Sequence, residues 1–320
     1  MTPDRKIIAR TQEVFAERRA GLEEAQLRRR SELYALAPEV EKIDESLRAL
    51  GAEIGLSAFA PDAVERIARI RTRSAELREH RARILSKLGL SPEPSVLCAK
   101  CGDSGVLSDG SFCDCFREEY AAQTLRYLNA KMPVRNAAFS DFDPRVFSAV
   151  EDPEMGVSPR QAAAAHKDVC SEFSEHFDET HENLYLCGPS ACGKSYLAAA
   201  IAARCAERGF SVEYVQAFDL CSAMEEKRFG RADDEAFAMV DSCFSVDLLI
   251  IDDLGCEATT SFTGPSLYNL ISNRMSEHLS TVILSELSSE ELSGRYMSQI
   301  ASRIRNDYTN LFFIGTVRKN

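Results

Sequence analysis

Residues 184–204 constrain the chain more than any other stretch. Leu184-Tyr185-Leu186-Cys187 is a short apolar run of the kind that forms a buried strand. Gly188-Pro189-Ser190-Ala191-Cys192-Gly193-Lys194-Ser195 then fits the pattern G-x-x-x-x-G-K-[ST]. Tyr196 leads into Leu197-Ala198-Ala199-Ala200-Ile201-Ala202, a segment of high helix propensity. Strand, glycine-bounded loop and helix are the context in which backbone N–H groups can turn inward toward phosphate oxygens. In that setting Lys194 is expected to reach the β- and γ-phosphates and the Ser195 hydroxyl to ligate Mg²⁺. The candidate ATP-contacting residues therefore run from Gly188 to Tyr196. A chance match in a glycine-containing turn is the alternative, and the strand and helix on either side speak against it.

A chain of 320 residues is long enough for two or more domains. No run approaches the ~18 apolar residues of a membrane span, and Met1-Thr2-Pro3-Asp4-Arg5-Lys6 lacks the apolar stretch of a secretory leader. The expected location is cytoplasmic, with no membrane partner. The net charge of −12 is unevenly spread: residues 1–95 hold 18 Lys+Arg against 16 Asp+Glu, and residues 96–320 hold 20 against 34. The half with the phosphate loop is the acidic one. That argues against a broad basic nucleic-acid face there, though not against a narrow basic channel.

Residues 4–90 are dense in Arg, Glu, Leu and Ala and read as helix. Ile8, Phe15, Leu22 and Leu36 share one seven-residue phase, interrupted at Arg29. Val40, Ile43, Leu47, Leu50 and Ile54 form an a/d stripe, which Ile67, Ile70, Leu77, Ile84 and Leu88 continue after a break. Pro38, Gly51, Gly55 and Pro61 are the expected breaks or kinks. A helical hairpin or three-helix coiled-coil arrangement fits, serving as a partner-binding arm or, more plainly, as a solvated spacer. The prolines of Leu90-Ser91-Pro92-Glu93-Pro94-Ser95 mark a linker.

Eleven cysteines in a cytosolic chain are not expected to form a disulfide framework. Four of them, Cys98, Cys101, Cys113 and Cys115, flank Asp109-Gly110, a strong hairpin-turn pair. A hairpin would bring the four thiolates together as a closed, structural Zn²⁺ site. Reduced free thiols and an iron–sulfur cluster are the alternatives. The expected division is an arm at 1–90, a cysteine module with connecting helix at 91–131, and a nucleotide-binding domain at 132–320.

From residue 159 onward helical and strand patterns alternate. Helices are expected at 159–177, 217–229, 234–240, 265–278 and, for the most part, 290–305. Strands are expected at 184–187, 210–215, 245–253, 281–285 and 311–315. This is an α/β, P-loop fold class, a parallel sheet with helices on both faces. Leu248-Leu249-Ile250-Ile251 followed by Asp252-Asp253 has the form of a Walker B strand, 57 residues after Ser195. At the carboxyl end of such a strand Asp252 would hold Mg²⁺ through water, and Asp253 would orient or deprotonate the attacking water. Ser285 or Glu286, at the end of the next strand, is a candidate for positioning that water. Arg303 lies on a helix from which it could reach a neighbouring subunit's nucleotide; a plain surface ion pair is the alternative.

These motifs, taken with Tyr214-Val215-Gln216-Ala217, Asp219-Leu220, Arg228-Phe229-Gly230, Leu254-Gly255, Leu287, Glu290-Glu291-Leu292 and Ala301-Ser302-Arg303-Ile304, resemble the DnaC/DnaI/IstB-type AAA+ ATPases over residues 135–320. Those are bacterial replicative-helicase loaders and the helper ATPases of certain transposases. The arm and cysteine segment are similar to the N-terminal region of loader-like proteins of Gram-positive bacteria. The resemblance implies ATP hydrolysis, a hexameric replicative helicase as partner of the arm, single-stranded DNA as ligand, and self-association through the ATP sites. A transposition helper acting on duplex DNA is the other implied role. A small-molecule kinase lacks support, since no lid segment is evident. The chain departs from the family at Glu286, where Asn is usual: a carboxylate can orient water but repels the γ-phosphate.

Overall fold

The computed structural model describes residues 4–57, 62–90, 96–258 and 260–316. Residues Met1–Pro3, the expected break at Pro61 and the proline linker at 91–95 lie outside them. Packing divides the chain into two units: the residues up to Thr11 together with those from Asp114 onward, and Gln12–Cys113.

In the larger unit five parallel strands, β1 (Leu184–Cys187), β2 (Val212–Gln216), β3 (Leu248–Leu254), β4 (Ser280–Ser285) and β5 (Thr309–Phe312), stand in the order β2-β3-β4-β1-β5. β1 is fully buried and β3 nearly so, which is why both read as unbroken apolar runs rather than as an alternation. On one face Leu186, Ile250 and Leu284 pack with Leu197 and Ile201 of α6 (Lys194–Glu207), Phe173 of α5 (Pro159–Glu175) and Leu128 of α4 (Asp114–Lys131). On the other, Leu249, Ile251 and Ile283 meet α7 (Ala217–Arg228), α8 (Asp234–Ser245), α9 (Thr263–Ser276), α10 (Ser289–Arg295) and α11 (Ser298–Asp307). The expected helix at 290–305 is thus two helices. The final strand runs from Thr309 to Phe312 rather than 311–315, because Leu184 pairs with Thr309 and Cys187 with Phe312.

A buried carboxylate fastens α4 to the sheet. Glu213 of β2 is 1% exposed and accepts hydrogen bonds from the Tyr127 hydroxyl at 2.8 Å and Lys131 Nζ at 2.7 Å. Lys131 also lies over the Tyr127 ring, and burial, then the Glu213 charge, pushes the Tyr127 phenol well above its usual range.

In the smaller unit, the remainder of α1 (Arg5–Leu36) is followed by α2 (Pro38–Ser57) and α3 (Ala63–Lys87), three helices among the described residues. Leu33, Ala37, Val40 and Leu85 form their shared core. The Asp44 carboxylate receives Arg81 in a forked pair at 2.7 and 3.1 Å, and the Tyr34 hydroxyl at 3.1 Å. Two expectations change. Leu36 is exposed and Leu33 takes the buried place, because the helix needs a different face toward α2 and α3 at its end. Gly51 and Gly55 do not break α2, which runs through both; intrahelical hydrogen bonding outweighs about 1 kcal/mol of propensity at each.

Candidate functional site

The site is built at the carboxyl ends of β1, β4 and β3. Cys187 at the end of β1 and Leu254 at the end of β3 both pair with Ser285, the last residue of β4. The phosphate loop therefore leaves the sheet beside one edge of β4 and the Asp252-Asp253 pair beside the other. Glu286, the next residue after Ser285, is exposed there.

Local backbone geometry explains the loop's sequence. Gly193 caps α6 with φ +98°, and a Cβ there would meet the Phe142 ring at 3.2 Å. At Gly188, φ is +142° and a Cβ would fall 2.3 Å from the Phe313 carbonyl oxygen, so only glycine fits beside β5. Ala191 is left-handed without being glycine, at φ +56°, the sort of local strain that a surrounding structure must hold in place. Lys194 is nearly buried, and its Nζ donates to the carbonyl oxygens of Gly188 at 2.7 Å and Pro189 at 2.8 Å. The ammonium thus sits inside the curve of the loop, 3.6 Å from Cys192 Sγ. Burial raises the Cys192 thiol's pKa, so it stays a neutral filler beneath the loop. Pro189, Ser190 and Ala191 are exposed, and Ser195 is half-buried at the start of α6. The Tyr196 hydroxyl donates to the Ala138 carbonyl at 3.2 Å and its ring lies 5.5 Å from Phe142, which joins the loop helix to the preceding segment.

The two carboxylates differ in kind. Asp252 is 2% exposed; it accepts the Tyr214 hydroxyl and, on Oδ1, the Asp253 N–H at 2.9 Å. Burial raises its pKa, with the Asp253 charge adding to the effect. Asp253 is exposed and left-handed, φ +54°. The β3–β4 register shifts between Ile251 and Leu254; Asp252 still pairs with Gln216 of β2, and Asp253 faces outward. Ser285 does not act as a free polar group: its Oγ donates to the Leu254 carbonyl and accepts the Leu287 N–H at 3.0 Å. Of the two expected water-positioning candidates, that leaves Glu286.

Arg303 belongs to another surface. Its partners are Asp307 on α11, at 3.5 Å, and Tyr268 on α9, and its side chain is 41% exposed. Two buried groups beside the carboxylates have no role from the sequence: Tyr214, there only a strand residue of the resemblance, and Glu257, which looks like a loop acid. Their only signal was a polar residue in a buried register.

The Cys98, Cys101, Cys113 and Cys115 sulfurs lie within 4.8 Å of one another. The Val106–Phe112 bridge closes the expected hairpin, with Gly110 left-handed at its tip. Four sulfurs about 2.3 Å from a tetrahedral Zn²⁺ stand about 3.8 Å apart; Cys98 and Cys113 are separated by 3.8 Å. The buried Asp103 carboxylate shapes the first turn by accepting the N–H groups of Leu97 at 2.8 Å and Cys98 at 2.7 Å. The donor set and spacing fit a closed zinc site.

A glycine-bounded loop between an inner strand and a helix, with paired carboxylates two strands away in a five-stranded parallel sheet, defines a P-loop nucleotide-binding fold. Residues 119–301, more than half of the chain, match the family described as IstB-like ATP binding protein, and the chain belongs to that family. It is homologous to the replicative helicase loaders DnaC of Escherichia coli K12, 26% identical over 136 residues (42% of this chain, 54% of DnaC), and DnaI of Bacillus subtilis 168, 29% identical over 133 residues (39% and 40%). The chain thus spans about half the length of the curated relatives it matches. Among solved structures, the DnaC helicase loader aligns with TM-score 0.43 and 19% identity over 56% of this chain and 97% of that one. AMPPCP-bound DnaA from Aquifex aeolicus aligns with TM-score 0.44 and 18% identity over 55% of this chain and 50% of that one. No helix of the described residues is long and apolar enough to cross a membrane.

Proposed function

We propose that the protein is an ATP-hydrolysing, cytoplasmic helicase loader that engages a hexameric replicative helicase and helps place it on single-stranded DNA. The observation that carries the hydrolytic part is the convergence of Gly188–Ser195, Asp252-Asp253 and Glu286 on three adjacent strand ends. Loop N–H groups from Gly188 to Tyr196 receive the phosphates, and Lys194 exchanges the Gly188 and Pro189 carbonyls for β- and γ-phosphate oxygens. Ser195 and Asp252 would hold Mg²⁺, which would neutralise charge on those oxygens. Asp253 orients a water and accepts its proton as the oxygen attacks the γ-phosphorus. The bond to the β–γ bridging oxygen breaks, leaving ADP and phosphate. Glu286 fixes the same water from β4. Its charge opposes the γ-phosphate, so turnover is slow. Arg303 acts on the nucleotide of the next subunit, which makes assembly a condition of turnover.

The arm expected at 1–90 is the helicase-gripping part and 132–320 the ATPase domain; of the 91–131 zinc module, the connecting helix α4 packs with the ATPase sheet, and the first residues of α1 belong by contact to the same unit. Exposed Phe229 and Phe237 stand beside Arg231 and Lys227, with Arg228 over Phe262. Rings and cations so interleaved suit stacked bases and their phosphates. Membership of the IstB-like ATP binding family keeps one second reading, the transposition helper on duplex DNA that the sequence resemblance implies.

Phosphate release and nucleotide binding by the full chain and by Lys194→Ala test the site. Loss of ATP-dependent activity in the variant is expected, and a wild-type rate in it refutes the assignment. Capture of the host's replicative helicase by the full chain, against retention on duplex DNA without helicase, separates the two roles.

A further inference from the structure

Asp253 sits in a backbone region that non-glycine residues seldom adopt, at φ +54°, followed by Gly255 at φ +111°. Such a turn keeps its shape only if its surroundings over-determine it. The anchors can be followed group by group. The Asp253 N–H goes to Asp252 Oδ1 at 2.9 Å, and the Asp253 carbonyl accepts the Cys256 N–H at 3.1 Å. The Leu254 carbonyl accepts Ser285 Oγ. The Gly255 N–H goes to Glu257 Oε2 at 3.0 Å. Gly255 is also covered from above: a Cβ there would lie 2.9 Å from Leu287 Cδ1.

Glu257 is the anchor that reaches furthest. It is 1% exposed, and a carboxylate that deep must be matched by donors. Oε1 accepts the Tyr296 hydroxyl, and Arg295 Nε stands 3.8 Å from the same oxygen. Arg295 also donates to the Glu257 backbone carbonyl. Burial, with the Glu257 hydrogen bond next, pushes the Tyr296 phenol well above its ordinary range, so it remains a donor. Arg295 ends α10, Tyr296 follows it, and α11 with Arg303 begins two residues later at Ser298.

We propose that Glu257 is a positioning residue: through the Gly255 N–H it holds the turn that presents Asp253, and through Tyr296 and Arg295 it fastens that turn to the helix pair carrying Arg303. This rests on the hydrolytic reading of Asp253 given above. A subunit whose Arg303 is drawn toward a neighbour's nucleotide then sets its own Asp253 through one carboxylate. The coupling is reciprocal, since any bias on the turn is returned to α10 and α11.

The test uses the full chain with Glu257→Gln and Tyr296→Phe. The glutamine keeps the volume and removes the charge that Arg295 faces; its amide oxygen keeps the Gly255 N–H only if its nitrogen turns to Tyr296, whose hydroxyl must then accept instead of donate. The phenylalanine removes a single donor and nothing else. Three quantities are read: affinity for a fluorescent ATP analogue, phosphate release, and hydrogen exchange of residues 253–257. Expected are turnover lowered roughly tenfold or more, nucleotide affinity within about twofold of wild type, and faster exchange at Gly255. Wild-type turnover in both variants overturns the proposal, as does a parallel loss of affinity. If the wild-type chain binds nucleotide and releases no phosphate, the hydrolytic reading fails by itself. Gly255 exchange then decides whether the clamp exists, and unchanged protection in both variants overturns it.

Discussion

Arg274 of α9 is fully buried, and its replacement by methionine offers a magnitude that can be worked from the contacts. Nε donates to Thr281 Oγ1 at 3.0 Å; Nη1 donates to the carbonyls of Cys243 at 2.9 Å and Val246 at 3.0 Å; Nη2 donates to the carbonyls of Ser280 at 2.6 Å and Asp247 at 3.4 Å. The charge is therefore balanced largely by carbonyl dipoles at the C-terminal end of α8 and the start of β4. Burial pushes the guanidinium pKa down to about 10, so it stays protonated at neutral pH. Arg274→Met fills similar space and strips four carbonyls of a donor. Each buried acceptor left unpaired costs about 1–3 kcal/mol, while removing a desolvated cation returns several kcal/mol. The net loss expected is about 3–5 kcal/mol, a large share of a domain stability of about 5–15 kcal/mol. With a urea slope of ~3 kcal/mol/M, the unfolding midpoint falls by about 1–1.7 M. Tyrosine fluorescence can report it, because the chain has nine Tyr and no Trp. Arg274→Lys should lie between, since one ammonium cannot span the fork. A methionine variant within about 0.3 M of wild type would mean that the carbonyls re-pair, refuting the reasoning.

Three further outcomes are expected. Protein prepared without chelators carries about one Zn²⁺ per chain and Cys113→Ser loses it without change in ATP affinity, as metal analysis and nucleotide titration would show. Arg303→Ala leaves nucleotide binding intact and lowers turnover of the assembled protein by roughly 10³. Mixing it with Lys194→Ala restores activity at intact interfaces, and a mixture that co-assembles and stays inactive assigns Arg303 to its Asp307 pair. His166, packed on Phe313, is held neutral by burial with its pKa pushed down to about 4. The unfolded chain takes up that proton near pH ~6.5, so stability is full above that pH and is lost as pH falls toward 4. Urea midpoints across this range should flatten in His166→Leu.

The phosphate loop was legible because everything it needs lies within a dozen residues: a buried strand, two glycines at positive φ and a helix start. The cysteine cluster was legible for a similar reason, since a short hairpin closes it. The Walker-type strand announced itself by an apolar run that only a both-faces-covered position explains. Other features depended on partners far away in the chain. Leu36 and Leu33 offer equal hydrophobicity, and the helices packed beside α1 chose between them. Ser285 reads as a free hydroxyl until β3 arrives to take it. Glu257 and Arg274 read as surface charges, because a sequence gives an ionisable residue no sign of burial. Several of their partners come from far along the chain: Cys243 and Val246 for Arg274, and Tyr296 for Glu257. Local backbone chemistry and hydrophobic period thus determined the fold class and the phosphate loop. Which charges are buried, and what they hold in place, was decided only by tertiary structure, because desolvation and its compensation exist only once distant segments have met.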